Sequence, residues 1–218
     1  MTAIKFCGFT REEDLRLAVR LGVEYLGLNF VAASPRRLGL DQARRLSDAA
    51  RDEAIRLGLA PPKLVGVVAG ESIGDSDAVA AVCALDYLQI HDERGPELAA
   101  GLARPCLLAW RLRPGQEPPD LSRSPAWGHL LDAYDPARLG GSGRTCDWDL
   151  AARLSASLGG SVRLFLAGGL RPANVAEAIR RVRPFAVDVA SGIERSPGHK
   201  DRDLMQAFVN EVRSVSDD

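Results

Sequence analysis

Arg163-Leu-Phe-Leu-Ala167, then Gly168-Gly169-Leu170, then a helix opened by Pro172, then Ala186-Val-Asp-Val-Ala190 and Ser191-Gly192 make one complete strand, helix and strand unit. Both strand runs are short and almost continuously apolar, as expected of strands buried on both faces of a parallel sheet. Pro suits the first turn of a helix, where its missing N–H costs nothing.

Working outward, the same alternation fills the chain. Strand candidates are Ala3 to Cys7, Tyr25 to Phe30, Lys63 to Ala69, Tyr87 to Ile90, Cys106 to Arg111, His129 to Asp132, Arg163 to Ala167 and Ala186 to Ala190. Between them lie helical runs. Thr10 ahead of Arg11-Glu12-Glu13 reads as a capping box, with Leu15, Ala18, Val19 and Gly22 at helical spacing, while Asp41 and Asp147 open later helices. Eight strands in 218 residues predict a single α/β domain over 1–218, a closed (β/α)8 (TIM) barrel of near-minimal size, with a doubly wound open sheet as the rival. Pro114, Pro118, Pro119 and Pro125 interrupt the fifth crossover, so its helix is expected to be shortened or absent. The final helix is expected near Asp201 to Val215, with a frayed polar tail.

Charge is balanced, with 28 Lys and Arg against 29 Asp and Glu, which argues against nucleic-acid or anionic-membrane binding. Cys7, Cys83, Cys106 and Cys146 form no CxxC pair and have no His cluster beside them, so neither a metal site nor a disulfide framework is expected. The last three read as small buried hydrophobes. A reducing, cytoplasmic setting fits this usage, and no export signal or membrane span is read from the chain.

In such a barrel chemistry gathers at the C-terminal ends of the strands. Those ends carry Cys7-Gly8, Asn29-Phe30 with Ser34-Pro35-Arg36, Gln89 and His91, Asp132, Gly168-Gly169, and Asp188 with Ser191-Gly192. The two glycine-bearing turns follow adjacent strands. Their backbone N–H groups and a helix N-terminus are expected to form a phosphate nest of Gly168, Gly169, Ser191 and Gly192.

The runs Lys5-Phe-Cys-Gly-Phe-Thr10, Ser34-Pro-Arg36, Gln89-Ile-His91, Leu130-Leu-Asp-Ala133, Leu139-Gly-Gly-Ser-Gly143, Cys146-Asp-Trp148, Leu166-Ala-Gly-Gly-Leu170 and Val187-Asp-Val-Ala-Ser-Gly-Ile-Glu194, with Pro197-Gly198 and Lys200-Asp201, resemble the phosphoribosylanthranilate isomerase family of tryptophan biosynthesis, in that family's order. The resemblance implies a cofactor-free and metal-free Amadori rearrangement of a small phosphorylated substrate by a monomer or homodimer. It implies Cys7 as general base and Asp132 as general acid, Arg36 on the anthranilate carboxylate, and Gln89, His91 and Asp188 lining the substrate pocket. Such a base needs a partly ionised thiol, which a nearby cation such as Lys5 would favour if the strand is regular, and such an acid needs a raised pKa. His91 need not titrate.

The chain departs from the family pattern at Asp92, where Gly is usual, at Gly141-Ser142-Gly143 for Gly-Thr-Gly, at Cys146 for Phe, and at Val68-Ala69, where a Phe is missing. Asp92 adds negative charge near a rim that must accept a multiply anionic ligand. Two alternatives stand beside the main reading. One is the related histidine-pathway isomerase or a dual-substrate enzyme, although that family has Asp at the strand-one position. The other is a non-catalytic phosphometabolite-binding paralogue, expected to have lost Cys7 or Asp132.

Overall fold

The computed structural model describes residues 1–92, 94–112, 120–133 and 146–215. Its strands are β1 (Ala3–Cys7), β2 (Tyr25–Asn29), β3 (Lys63–Val68), β4 (Tyr87–Ile90), β5 (Cys106–Leu112), β6 (Gly128–Ala133), β7 (Leu164–Leu166) and β8 (Ala186–Val189). Each pairs in parallel with the next, and β8 returns to β1 with Lys5 opposite Asp188. The barrel is therefore closed, and the open-sheet alternative falls.

Outside the barrel run α1 (Glu12–Arg20), α2 (Leu40–Leu57), α3 (Ser76–Val82), α4 (Gly95–Ala100), α5 (Trp148–Leu158), α6 (Pro172–Val182) and α7 (Arg202–Arg213). Between β5 and β6 the described residues hold only a 3-10 turn, Leu121–Arg123, in line with the proline content there. Residues 113–119 of that crossover, the run Leu139 to Gly143, and the tail 216–218 lie outside the described residues.

Two helix starts follow their sequence signals, and two differ. Asp147 caps α5 by accepting from Leu150 N at 3.0 Å, and Pro172 is the first residue of α6. Asp41 sits inside the first turn of α2, with Gly39 at the cap. Thr10 does not cap α1, whose N-cap is Arg11 without a side-chain bond. The Thr10 hydroxyl instead donates to Gly198 O at 2.5 Å, a long-range tie that outcompetes the local cap.

Successive strand residues face opposite sides, which separates two apolar layers. Ile4, Phe6, Leu26, Leu28, Leu88, Ile90, Leu131, Val187 and Val189 face outward to the helices. Tyr25, Val65, Leu107, Leu130, Phe165 and Ala186 face the barrel axis. There Tyr25, Tyr87, Trp127 and Phe165 pack with ring centroids 4.2 to 6.3 Å apart. This aromatic layer floors the barrel at its N-terminal end, so any cavity can open only at the other end.

A charge cluster joins α1 to α2. The Glu53 carboxylate, its side chain 2% exposed, accepts from Arg20 Nε at 2.6 Å, Arg56 Nη2 at 2.6 Å and Arg16 Nη1 at 3.2 Å. Its hydrogen bonds from Arg56 and Arg20 hold its pKa down to about 2. A depressed carboxyl pKa stabilises the fold fully above the unfolded value of about 4.3, and that stabilisation is lost as pH falls towards 2. Glu53→Gln should therefore melt at a lower temperature than wild type at pH 7. The gap should narrow as thermal melts are repeated from pH 5 downward, and a gap independent of pH would refute this account.

Candidate active site

Apart from Lys5, the candidate polar residues of the barrel interior occupy the last inward positions of their strands or lie just beyond them. Cys7 ends β1, Gln89 lies near the end of β4 with His91 just beyond it, Asp132 lies near the end of β6, and Asp188 lies in β8. Together with Asn29, Val67, Ser34, Arg36, Ser191 and Glu194 they line one cavity of about 750 Å³ at the C-terminal mouth. Seven of the ten candidate residues line it. Gly168, Gly169 and Gly192 do not.

Charge inside this mouth is paired. Lys5 is fully buried, points inward two residues before Cys7, and places Nζ 2.7 Å from Asp188 Oδ1. Burial works against its charge, but Asp188 and Cys7 outweigh burial and raise its pKa. Desolvation likewise pushes the Cys7 thiol up, Asp188 adds to that, and the opposing pull of Lys5, Lys200 and Arg36 is insufficient. The expected lowering of the thiol pKa is thus not supplied by these surroundings. Asp132 behaves as an acid requires: burial, reinforced by Asp188, raises it to about 6, against the hydrogen bond from Ala133 N to its Oδ1 at 2.8 Å.

His91 and Gln89 form a second polar group in the wall. Their Nε2 atoms lie 2.6 Å apart, so the Gln89 amide donates to a ring nitrogen that must be unprotonated. Burial, with Lys5 and Arg111 adding to it, lowers the His91 pKa to about 3, so it is neutral at physiological pH. Gln89 Oε1 and His91 Nδ1 are buried without a protein partner, leaving one acceptor and one donor to meet a ligand. His129, by contrast, faces outward, accepts from Trp110 Nε1 at 2.9 Å and is structural.

Arg36 is not free. Its Nε and Nη2 donate to Glu194 at 2.8 and 2.5 Å, and Glu194 also accepts from the buried Lys200 Nζ at 2.8 Å. Glu194 and Lys200 belong to an antiparallel hairpin of β9 (Glu194–Ser196) and β10 (His199–Lys200), inserted after β8. Neither was assigned a role from the sequence. The signal available was the Pro197-Gly198 turn between them, which brings both strands of a hairpin together.

The glycine-bearing turns after β7 and β8 lie against each other, with Gly168, Gly169 and Gly192 outside the cavity lining. A Cβ on Gly192 would lie 1.9 Å from Leu170 O, and one on Gly168 would lie 2.5 Å from Ala133 N, so both glycines permit backbone contact between neighbouring loops. The carbonyl of Gly168 accepts from Cys146 N and that of Gly169 from Asn174 Nδ2. Only Ser191 of this group reaches the cavity. Asp92 accepts from Arg94 N and Nε and is not part of the lining, so its charge is met locally. Cys83 and Cys106 are buried, as expected, and Cys146 is partly so.

A closed (β/α)8 barrel whose mouth pairs a carboxylic acid of raised pKa with a buried thiol and an arginine is of the kind that moves protons on an anionic metabolite. The chain belongs to the N-(5'-phosphoribosyl)anthranilate isomerase family, whose description it matches over residues 4–211. It is 37% identical to the N-(5'-phosphoribosyl)anthranilate isomerase of Geobacter sp. (strain M21) across 99% of this chain and all of that protein. The phosphoribosyl anthranilate isomerase of Thermus thermophilus superposes with a TM-score of 0.84 at 31% identity, over 99% of this chain and all of that one. A further isomerase structure, in complex with reduced 1-(o-carboxyphenylamino)-1-deoxyribulose 5-phosphate, gives a TM-score of 0.75 at 30% identity, covering 98% and 99% of the two chains.

The close approach at Gly192 makes a direct prediction. Gly192→Ala must push the loops after β7 and β8 apart. Overpacking of this kind costs roughly 1–3 kcal/mol, and roughly 2–4 °C per kcal/mol is expected for a chain of this size. Differential scanning calorimetry should therefore show a midpoint several degrees lower, and an unchanged midpoint would contradict the packing described.

Proposed function

We propose that this chain is a phosphoribosylanthranilate isomerase, converting N-(5'-phosphoribosyl)anthranilate to 1-(2-carboxyphenylamino)-1-deoxyribulose 5-phosphate, with its one domain spanning 1–218. The observation that carries the chemistry is Asp132, a carboxylic acid raised to about 6, lining the same cavity as the Cys7 thiol. Family membership supplies the substrate.

In this reading Asp132 donates its proton to the furanose ring oxygen. The C1–O bond breaks, and the nitrogen lone pair forms an iminium at C1. The Cys7 thiolate takes the proton from C2, and the C–H electron pair becomes a C1=C2 bond that neutralises the iminium. The resulting enolamine takes a proton at C1 and loses the proton of its C2 hydroxyl, which gives the ketone. The proton held by Cys7 and the one lost by Asp132 balance, so that both groups return to their starting states. C2 is oxidised as C1 is reduced, with no net redox change, so proton transfer by acid and base groups is sufficient and no cofactor or metal is assigned.

The remaining residues bind. Arg36 meets the anthranilate carboxylate, where a planar fork suits the ligand. Gln89 Oε1 and His91 Nδ1 have the unmet hydrogen-bonding capacity to hold sugar hydroxyls, with Asp188 beside them. The phosphate is assigned to the edge of the cavity at Ser191, with the backbone of Gly168, Gly169 and Gly192 and the N-terminus of α6 set behind it to favour a dianion. Both catalytic groups are retained, which favours an enzyme over a binding paralogue, and Cys7 favours this substrate over that of the histidine-pathway relative. The partner is thus a small phosphorylated molecule rather than nucleic acid. No helix among the described residues is long and apolar enough to cross a membrane. Four free thiols support a cytoplasmic setting. Every assigned group comes from one chain, so a monomer or a homodimer would serve.

Two predictions follow the chemistry. Cys7→Ala and Asp132→Asn should each lose about 10²- to 10⁴-fold in kcat, the usual worth of general acid/base catalysis. Substrate fluorescence decay would measure this, and full turnover in either variant would sink the assignment. The pH profile is the second. The active form needs Cys7 ionised and Asp132 protonated, yet the thiol titrates above the acid. Below about pH 6 kcat/KM should rise with pH as thiolate accumulates. Above it, the gain in thiolate and the loss of protonated Asp132 cancel, so the profile should stay level until the thiol itself ionises. A decline between pH 6 and 8 would instead mean that the thiolate is already formed.

A further inference from the structure

Arg36 carries five N–H donors, and Glu194 occupies only two of them. The contact is two-pronged: Oε1 accepts from Nε and Oε2 from Nη2, which fixes the plane of the guanidinium. The opposite edge, with both N–H groups of Nη1 and the second of Nη2, is left for another acceptor. Arg36 and Glu194 both line the cavity, and the two side chains are only 12% and 3% exposed.

Glu194 is itself held from behind. Its Oε1 also accepts from Gly198 N at 3.2 Å and Lys200 Nζ at 2.8 Å. Lys200 Nζ, fully buried, continues to Cys7 O at 2.6 Å and Ala190 O at 3.2 Å. The stem of Arg36 crosses the end of β1 where a Cβ on Gly8 would lie 2.3 Å from its Cδ, so a bare glycine lets the arginine lie flat there. Two cations share one carboxylate, so the cluster keeps one surplus positive charge beside the cavity. It also ties Arg36 to the strand that bears Cys7 and to the loop after β8.

We infer that Glu194 is a positioning residue, which, braced by Lys200, sets the plane of Arg36 and so determines which edge of the guanidinium recognises the carboxylate of the substrate. This rests on the reading of Arg36 as the carboxylate contact. Glu194 touches neither reacting atom. Its effect is selective: it governs preference for a ligand with a carboxyl ortho to the nitrogen over one without it.

Binding tests this without requiring turnover. Reduced 1-(o-carboxyphenylamino)-1-deoxyribulose 5-phosphate and its counterpart lacking the carboxyl would be titrated by calorimetry into wild type, Glu194→Gln and Glu194→Asp. Wild type should prefer the carboxylated ligand. Glu194→Gln keeps the size but loses the charge, and should reduce that preference by about 10- to 100-fold, the worth of a charge-assisted hydrogen bond. Glu194→Asp keeps the charge but shortens the reach, and should reduce it in the same direction, which serves if the Gln variant fails to fold. Equal weakening towards both ligands, or an unchanged preference, would make Glu194 a structural tie only and overturn the inference. So would a wild type with no preference. A wild type that prefers the carboxylated ligand but does not turn over N-(5'-phosphoribosyl)anthranilate would remove the proposed activity and leave the role of Glu194 standing.

Discussion

The barrel closes where β1 meets β8, and inside that seam Lys5 Nζ lies 2.7 Å from Asp188 Oδ1 across a register in which the two residues are direct partners. Buried charges persist only when paired, so this contact is the condition for a polar barrel mouth. It sets the field around the site as well. Lys5 pulls the Cys7 thiol down while Asp188 pushes it up, and Asp188 also helps to hold Asp132 protonated. One ion pair thus lies across the seam where the sheet closes and acts on both proton-transfer groups.

The energetic character of the site follows from burial more than from any single charge. Desolvation is the leading influence on Cys7, His91 and Asp132, in each case favouring the neutral form. A neutral histidine suits a pocket that must accept an anionic ligand, and an acid raised to about 6 holds a protonated fraction that falls as pH rises through that value. A neutral thiol does not suit a base, and ionising it needs the help of Lys5, Lys200 and Arg36. The aromatic floor of Tyr25, Tyr87, Trp127 and Phe165 is part of the same arrangement, since it fills the barrel below the charges.

The rim is assembled in the same way, by contacts that leave little slack. Gly192 against Leu170, Gly168 against Ala133, and Gly8 beneath Arg36 are places where backbone or side chain comes closer than any Cβ would allow. Gly168 therefore supports the strand end that carries Asp132. Arg36 is braced by Glu194, and Glu194 by Lys200, so the loop after β2 is joined to the hairpin after β8.

The roles of Cys7, Gln89, His91, Asp132 and Asp188 came only with the resemblance to a family, and the choice of a closed barrel over an open sheet rested on the count of eight strands. Strand order, and the position of these residues at or just past strand ends, were legible from the chain because they rest on local patterns of period-2 alternation and apolar run length. The interrupted fifth crossover was legible for the same reason, since proline acts on its own backbone. Thr10 was misread because its hydroxyl serves Gly198, far along the chain, instead of its own helix. The Arg36 to Glu194 contact joins residues 158 positions apart, and no local spacing encodes it. The protonation states were likewise beyond sequence. A pKa reflects the total burial and field at one atom, and those exist only once β1, β6 and β8 have brought Cys7, Asp132, Lys5 and Asp188 together in a single barrel mouth.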